Sequence, residues 1–334
     1  MTTILFVHLG KRIPDYLACN IQRTSEMFPS LNIVLVTSSE NLPRTLPPGL
    51  VVLHPDNLSW NRERKKIQRD QRFWGGWWQK TFDRLLMIRP VHQLFPLGGV
   101  LHIESDTVIF PSFPLDSLQQ QAKIAYPMYS SSMAVASVIY SPSVETSKKL
   151  ELEILQELEA NPETSDMDAL GSIVPRLGED FSQLHEFPNE KTTIDGMPLS
   201  LGLFDGLSHG EWLCGRDPKA NWGIGMRRRR TPNSKNQIFP LYEYSAEQMF
   251  LYFNEQGVKV PLNNLHIHSK ELYFFQLDQD SRIQSTIVSV NQARDQFLYF
   301  FKFGGFLYCL WSNLKIWSSS VFSAQAWIRL RSRW

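Results

Sequence analysis

Glu104-Ser105-Asp106 sets two acids two residues apart. The apolar run Gly99-Val-Leu-His-Ile103 leads into them, and Val108-Ile-Phe110 leads out. Carboxylates beside buried apolar flanks are expensive unless a cation meets them. A divalent ion there would neutralise both acids and could bridge to a diphosphate. A turn carrying two solvated acids explains the triplet equally well on its own.

A second group stands far along the chain, in Asn264-Leu-His-Ile-His268-Ser-Lys270. In an extended segment His266 and His268 point to opposite faces, so one can enter a cleft while the other looks away. Histidine with carboxylate makes a mixed N/O site suited to Mn²⁺. Lys270 shares the face of His268 and is placed to meet a phosphate oxygen. That pairing makes His268 the expected ligand, although most single histidines simply pack or face solvent. Between these groups, Phe204-Asp-Gly-Leu-Ser-His-Gly-Glu-Trp-Leu-Cys-Gly-Arg-Asp217 offers Asp205, Glu211 and Asp217 as candidates for an acceptor base. Acids that cap helices are the alternative. Phe73-Trp-Gly-Gly-Trp-Trp78 could stack on a base or a sugar, or close a core. Arg227-Arg-Arg-Arg230 reads as a solvated loop or as a contact for phosphate or anionic lipid.

The elements that must position these groups are legible as pattern. Ile4–Val7, Asn32–Thr37, Leu50–Leu53 and Gly99–Ile103 read as buried strands, and the helical spacing of Tyr16–Met27 joins the first two. Strand, helix, strand within about 37 residues implies a parallel sheet. Such sheets collect ligands beyond the carboxyl ends of their strands, where the acidic triplet falls. Gln79–Ile88 reads as a helix closed by Pro90, Met133–Tyr140 as a strand, and 143–160 and 166–177 as helices. The segment 178–240, rich in Gly, Pro and Asn, reads as long loops.

Composition narrows the function classes. The 334 residues are 43% apolar and 20% charged, with a net charge of +1, which excludes a disordered chain and argues against a nucleic-acid binder. Three scattered cysteines, Cys19, Cys214 and Cys309, give neither a disulfide framework nor a cysteine zinc site, and fit a cytoplasmic setting. The N-terminus lacks the basic region of a signal peptide. Residues 281–334 carry seven basic groups against Asp295, a net +6, together with many aromatics. No apolar stretch there reaches the roughly 20 residues of a span. The expectation is a body over 1–280 and a basic, aromatic tail over 281–334 that lies on an anionic membrane surface or packs on the body. Walker, G-x-G-x-x-G, G-x-S-x-G and H-E-x-x-H motifs are absent from the sequence.

The string His102-Ile-Glu-Ser-Asp-Thr-Val-Ile109, with Lys80-Thr-Phe-Asp-Arg84 before it and Asp166-Met-Asp168 and the late Leu265-His-Ile-His-Ser-Lys270 after it, resembles the glycosyltransferases of the GT-A fold. The resemblance runs over roughly residues 3 to 275. It implies an α/β, Rossmann-like architecture with a mostly parallel central sheet flanked by helices. It also implies a metal-dependent enzyme that moves a sugar from a nucleotide-diphosphate donor, a UDP-sugar in the first place, to a glycan or lipid-linked acceptor, with Mn²⁺ or Mg²⁺ as cofactor. In that family the last acid of the triplet binds the ion, which maps to Asp106. Glu104 departs from the family's Asp and is assigned to the ion or to the donor, with Ser105 beside it on the donor. Arg84 and Lys270 are expected on the donor phosphates, and Asp166 near the transferred sugar. His8, Gly10 and Thr37 are expected at the base and ribose. The stretch containing Asp205 and Glu211 resembles "FDaaaiGqYlgGiDP" of some bacterial glycosyltransferase-like sequences. Two other classes stay open: a nucleotidyltransferase, and a non-catalytic relative that binds glycan or protein.

Overall fold

Apolar side chains on both faces of the first strand decide the layering. A computed structural model of the chain describes residues 2–59, 77–187, 201–214, 241–245, 248–253, 258–270, 272–276 and 280–303. In β1 (Thr3–His8), Ile4 and Phe6 pack into one core cluster while Leu5 and Val7 pack into another. A strand buried on both sides reads as a continuous apolar run, and it needs helices above and below. Helix α1 (Asp15–Met27) carries the chain across to β2 (Asn32–Thr37), parallel to β1, and β3 (Val51–Leu53) continues in parallel beside β2.

Helices α2 (Trp77–Leu86) and α3 (Ile88–Leu94) precede β4 (Val100–Ile103), which pairs with β1 on its other side. After β5 (Thr107–Ile109) come α4 (Leu115–Gln121), β6 (Ile124–Pro127), β7 (Val138–Ser141), α5 (Val144–Ala160), α6 (Asp166–Leu177) and β8 (Phe181–Leu184). The central sheet has the order β3-β2-β1-β4-β7-β6-β8, parallel except at β7, which runs antiparallel to both neighbours. This is the mostly parallel sheet flanked by helices that the sequence implies. Helices α2, α3, α5 and α6 cover one face through Leu85, Val91, Ile154 and Ile173, and α1 and α4 cover the other through Leu17, Ile21 and Leu118.

A second layer follows: α7 (Ser208–Cys214), β9 (Leu241–Ser245), β10 (Gln248–Phe253), β11 (Val258–Leu262), β12 (Asn264–His266) and α8 (Asp280–Phe303). Strands β9 to β11 form an antiparallel sheet, and β12 pairs with β5. Ile283, Ile287 and Val290 of α8 are buried against Tyr242 and Leu251, and Asn291 exchanges hydrogen bonds with the Tyr242 backbone. The body therefore extends past the expected boundary at 280 to include the first three turns of α8. Residues 304–334, which hold most of the expected tail, lie outside the described residues, as do the Arg227–Arg230 run and Phe73–Gly76. Among the described residues no helix is long and apolar enough to cross a membrane.

Local chemistry explains the other departures from pattern. Pro90 ends nothing. The chain breaks at Met87 and restarts, so Pro90 falls in the first turn of α3, where its missing N–H leaves no helical bond unmade. The strand expected over 133–140 is confined to Val138–Ser141, because Ala134 bridges back to Met128 and its N–H goes to the Met167 carbonyl. Helix α5 starts as its sequence suggests, with Ser143 and Thr146 satisfying each other's N–H groups.

Gly171 in α6 permits a close approach: a Cβ there would lie 2.1 Å from the Ser132 carbonyl oxygen. Gly-to-Ala inside a helix normally stabilises by about 1 kcal/mol. Here the collision with backbone reverses the sign, and Gly171→Ala is expected to destabilise by about 1–3 kcal/mol. A urea midpoint that rises in this variant would contradict the packing.

Candidate active site

The acidic turn sits at the carboxyl end of β4. Glu104 N–H donates to the Ser137 carbonyl and Thr107 N–H to the Glu104 carbonyl, each at 3.0 Å. The chain then leaves the central sheet as β5 and pairs with β12, placing His266 opposite Thr107. Ile267 N–H donates to the Asp106 carbonyl at 2.7 Å. Asn20 Nδ2, from the buried side of α1, donates to the carbonyls of Thr107 at 2.7 Å and Ser105 at 3.3 Å. Hydrogen bonds from three distant segments, two by backbone and one by the Asn20 side chain, thus fix the turn.

The side chains form one line of alternating charge. Asp166 Oδ2 lies 3.2 Å from Arg84 Nη2, and Arg84 Nη1 pairs with Glu104 Oε1. Glu104 Oε2 lies 3.3 Å from His266 Nε2, which is 3.4 Å from Asp106 Oδ1; Asp106 Oδ2 is 3.4 Å from Lys270 Nζ. His266 Nδ1–H donates to the Gly206 carbonyl at 2.6 Å, which aims Nε2 at the acids. Burial opposes charge on this imidazole, yet Glu104 and Asp106 outweigh it and raise its pKa to about 10. Burial pushes Asp106 up, but His266, Lys270 and His268 prevail and hold it well below the carboxylate range. For Asp166 burial wins over Arg84, and its pKa is raised. His102, beneath on β4, is driven down to about 3 by burial and then by Arg84, so it stays neutral.

A second pair of buried acids holds the histidine strand in place. Asp205 accepts hydrogen bonds from the N–H groups of His209, Gly210 and His266 at 2.7–2.9 Å. Glu186 accepts from the N–H groups of Gly206, Leu207 and Ser208. Both carboxylates therefore cap the start of α7. Gly210 packs against β12 so closely that a Cβ would lie 1.7 Å from the His266 carbonyl oxygen. Burial and the Glu186 charge push the Asp205 pKa up to about 7.

Most of the expected residues meet at this edge. Glu104, Asp106, Arg84, Asp166 and Lys270 join one cluster, with Ser105 in its turn. His8 and Thr37 end adjacent parallel strands of the same sheet. His8 Nε2–H donates to the Arg12 carbonyl at 2.8 Å, and a Cβ on Gly10 would lie 2.6 Å from that nitrogen. Thr37 Oγ1 accepts from Ser39 N–H.

Two assignments change. The histidine between the acids is His266. The strand ends there, the chain turns to reach Lys270 at φ 56°, and the two imidazoles lie 4.0 Å apart by centroid instead of facing opposite ways. Asp205 is fully buried and used by three backbone N–H groups, so it is a positioning residue and not an acceptor base. Glu211 stands in α7, buried to the same degree as Glu104. Asn20 and Glu186 were not singled out in the sequence; a polar residue among Leu17, Ile21 and Thr24 on the apolar side of a helix was the available signal for Asn20.

Glu104, Asp106 and His266 each offer a ligand atom, all within 4.8 Å of one another. This O, O, N set suits Mn²⁺ or a similar ion, and among the described residues Glu104 Oε2 has its ion contact with His266 but no hydrogen bond. The residues fit a divalent cation.

Without an ion, the folded chain keeps on His266 a proton that the unfolded chain loses near pH 6.5. That stabilisation is complete below about 6.5 and lost as the pH climbs through about 10. Chelated protein should lose on the order of a few kcal/mol across that window, and His266→Gln should flatten the profile. Parallel profiles for the two proteins in denaturant titrations would refute the charge on His266.

No protein-family model matches the chain, and no curated protein matches it in sequence. In structure it is similar to the galactosyltransferase LgtC in complex with donor and acceptor sugar analogues, at 10% identity and a TM-score of 0.39, over 55% of this chain and 73% of that one. It is similar to an active-site mutant of LgtC at 11% identity and a TM-score of 0.39, with the same coverage. It is also similar to a glycosyltransferase involved in the glycosylation of the major capsid of PBCV-1, at 13% identity and a TM-score of 0.36, over 54% of this chain and 79% of that one.

Proposed function

We propose that the chain is a metal-dependent glycosyltransferase that takes a sugar from a nucleotide-diphosphate donor, UDP-linked in the first place. The observation that carries this reading is the cluster of Glu104, Asp106 and His266 beyond the carboxyl end of β4, flanked by Arg84 and Lys270. A bound Mn²⁺ or Mg²⁺ would supply charge to offset the diphosphate and its growing negative charge as the sugar leaves. Lys270, whose side chain is 25% exposed and pairs with Asp106, is a cation for a phosphate oxygen in this reading. Arg84, 14% exposed, holds Glu104 and Asp166 in register. His8, Gly10 and Thr37, at the ends of β1 and β2, border the place for base and ribose. Asp166 is the acid placed toward the transferred sugar. The acceptor is a glycan or lipid-linked sugar, and the basic tail brings the enzyme to the inner face of an anionic membrane.

Metal binding must expel the His266 proton. Titration calorimetry with Mn²⁺ near pH 7.5, in buffers of different ionisation enthalpy, should therefore report about one proton released. Asp106→Asn and His266→Ala should each abolish that binding, and His268→Ala should reduce it less. Incubation with a panel of nucleotide sugars and glycan acceptors, read by mass spectrometry, should give a metal-dependent transfer product that Asp106→Asn loses. Metal binding with no product from any donor would favour the non-catalytic relative, and nucleotide transfer in place of sugar transfer would favour the nucleotidyltransferase.

Full-length chain should float with anionic vesicles and lose that binding at high salt or on removal of 304–334. Equal flotation of both forms would remove the membrane from the reading.

A further inference from the structure

The charge of a bound donor is not balanced by the ion line alone. Asp166, Glu104 and Asp106 bring three carboxylates, and Arg84, Lys270 and the His266 proton offset them. A divalent ion that expels the proton adds about one net positive charge. A nucleotide-diphosphate donor brings roughly two negative charges, and a third develops as the sugar leaves. At least one more cation is needed in a patch where unpaired charge is costly.

Helix α2 supplies it. Lys80 lies one turn before Arg84, about 6 Å along the axis and on the same face. Arg84 pairs with Glu104, so that face of α2 looks onto the acidic turn. The other neighbour of Lys80 is the end of β1. The register pairs Phe6 with Ile103, which sets His8, two residues on, at the height of the acidic turn and one strand away. Burial holds the His8 ring below the usual histidine range, the Arg12 carbonyl offsets part of this, and the Lys80 charge lowers the ring further. The Lys80 ammonium is therefore within electrostatic reach of His8. Lys80 is exposed, and it takes part in no ion pair among the described residues. It stands between the place for the ribose, at His8 and Gly10, and the ion cluster. Lys11 and Arg12 are also exposed, but they lie in the loop past His8 and share no element with Arg84.

We propose that Lys80 binds the phosphate nearest the ribose of the nucleotide donor, leaving the second phosphate to the ion and Lys270. The proposal rests on the sugar-transfer reading and adds to it the cation that the charge balance requires.

UDP, GDP and ADP are titrated by calorimetry into the full chain loaded with Mn²⁺, and the tightest of the three is carried into the variants. Lys80→Ala should weaken it about tenfold, the loss expected for one charge-assisted hydrogen bond. The corresponding monophosphate should lose by the same factor, because it keeps the phosphate in question. Lys80→Arg keeps the charge and should recover most of the affinity. Mn²⁺ affinity without nucleotide should be equal in Lys80→Ala and the unaltered chain, which separates a lost contact from a damaged site. Lys11→Ala should leave nucleotide affinity within about twofold. Unchanged diphosphate affinity in Lys80→Ala would overturn the proposal and leave the sugar-transfer reading standing, as would an equal loss in Lys11→Ala. Loss of diphosphate affinity with none for the monophosphate would overturn the choice of phosphate. A chain that binds Mn²⁺ but none of the three nucleotides would remove the donor reading, and this contact with it.

Discussion

Six groups of alternating sign, Asp166, Arg84, Glu104, His266, Asp106 and Lys270, run in one unbroken line through the site. Three carboxylates in a patch this dry cannot stay ionised without cations. No element supplies its own. Arg84 comes from α2, Asp166 from α6, the two middle acids from the turn after β4, and His266 and Lys270 from the far end of the body. The fold must therefore bring residue 84 beside residue 166, and residue 106 beside residue 266. The antiparallel switch at β7 and the departure of β5 toward β12 are the two topological moves that accomplish this.

The same molecule buries two further acids by a different route. Among the described residues, Asp205 and Glu186 have no cationic side chain as a hydrogen-bond partner. They take backbone N–H groups at the start of α7, seven residues long and closed against β12 at Gly210. The distinction is functional. Three backbone N–H groups tie the Asp205 carboxylate to the start of α7 and to His266, and three with the Ser208 hydroxyl tie that of Glu186 to the start of α7. A carboxylate paired with a histidine proton and an ammonium group can exchange those partners for another cation. The two sets meet at His266, whose N–H is held by Asp205 and whose ring faces Glu104 and Asp106.

The strands of the central sheet were legible because burial on both faces leaves unmistakable apolar runs, and the acidic turn was legible because it follows one of them. For the histidine, strict alternation points to His268, while the structure sets His266 between the acids. Alternation holds only while a strand lasts, and β12 stops at His266. Asp205 looked catalytic because a glycine-rich loop with acids also describes a tight helix start, and composition does not separate the two. Strand β8 and helix α7 fall inside the stretch 178–240 whose composition reads as loop, and β9 to β11 follow directly after it. Their cross-strand partners are each other, so no βαβ spacing marks them. The first turns of α8 were grouped with a tail on charge, although their apolar residues at 283, 287 and 290 carry helical spacing.

The Glu at position 104, where the resembling family has Asp, has a geometric reason here. Its two oxygens serve different partners, Oε1 on Arg84 and Oε2 on His266. Those partners belong to α2 and β12, on different sides of the turn. Glu carries its carboxylate one methylene farther from the backbone than Asp, the reach with which this side chain touches both. Asp106, whose partners are His266 on the last rung of the β5–β12 ladder and Lys270 in the turn after it, manages with the short side chain. The longer acid is thus the joint between the half of the ion line anchored on the central sheet and the half anchored on the late histidine strand. Shortening it would divide one charge-balanced line into two, leaving Asp166 with Arg84 on one side and Asp106 with His266 and Lys270 on the other.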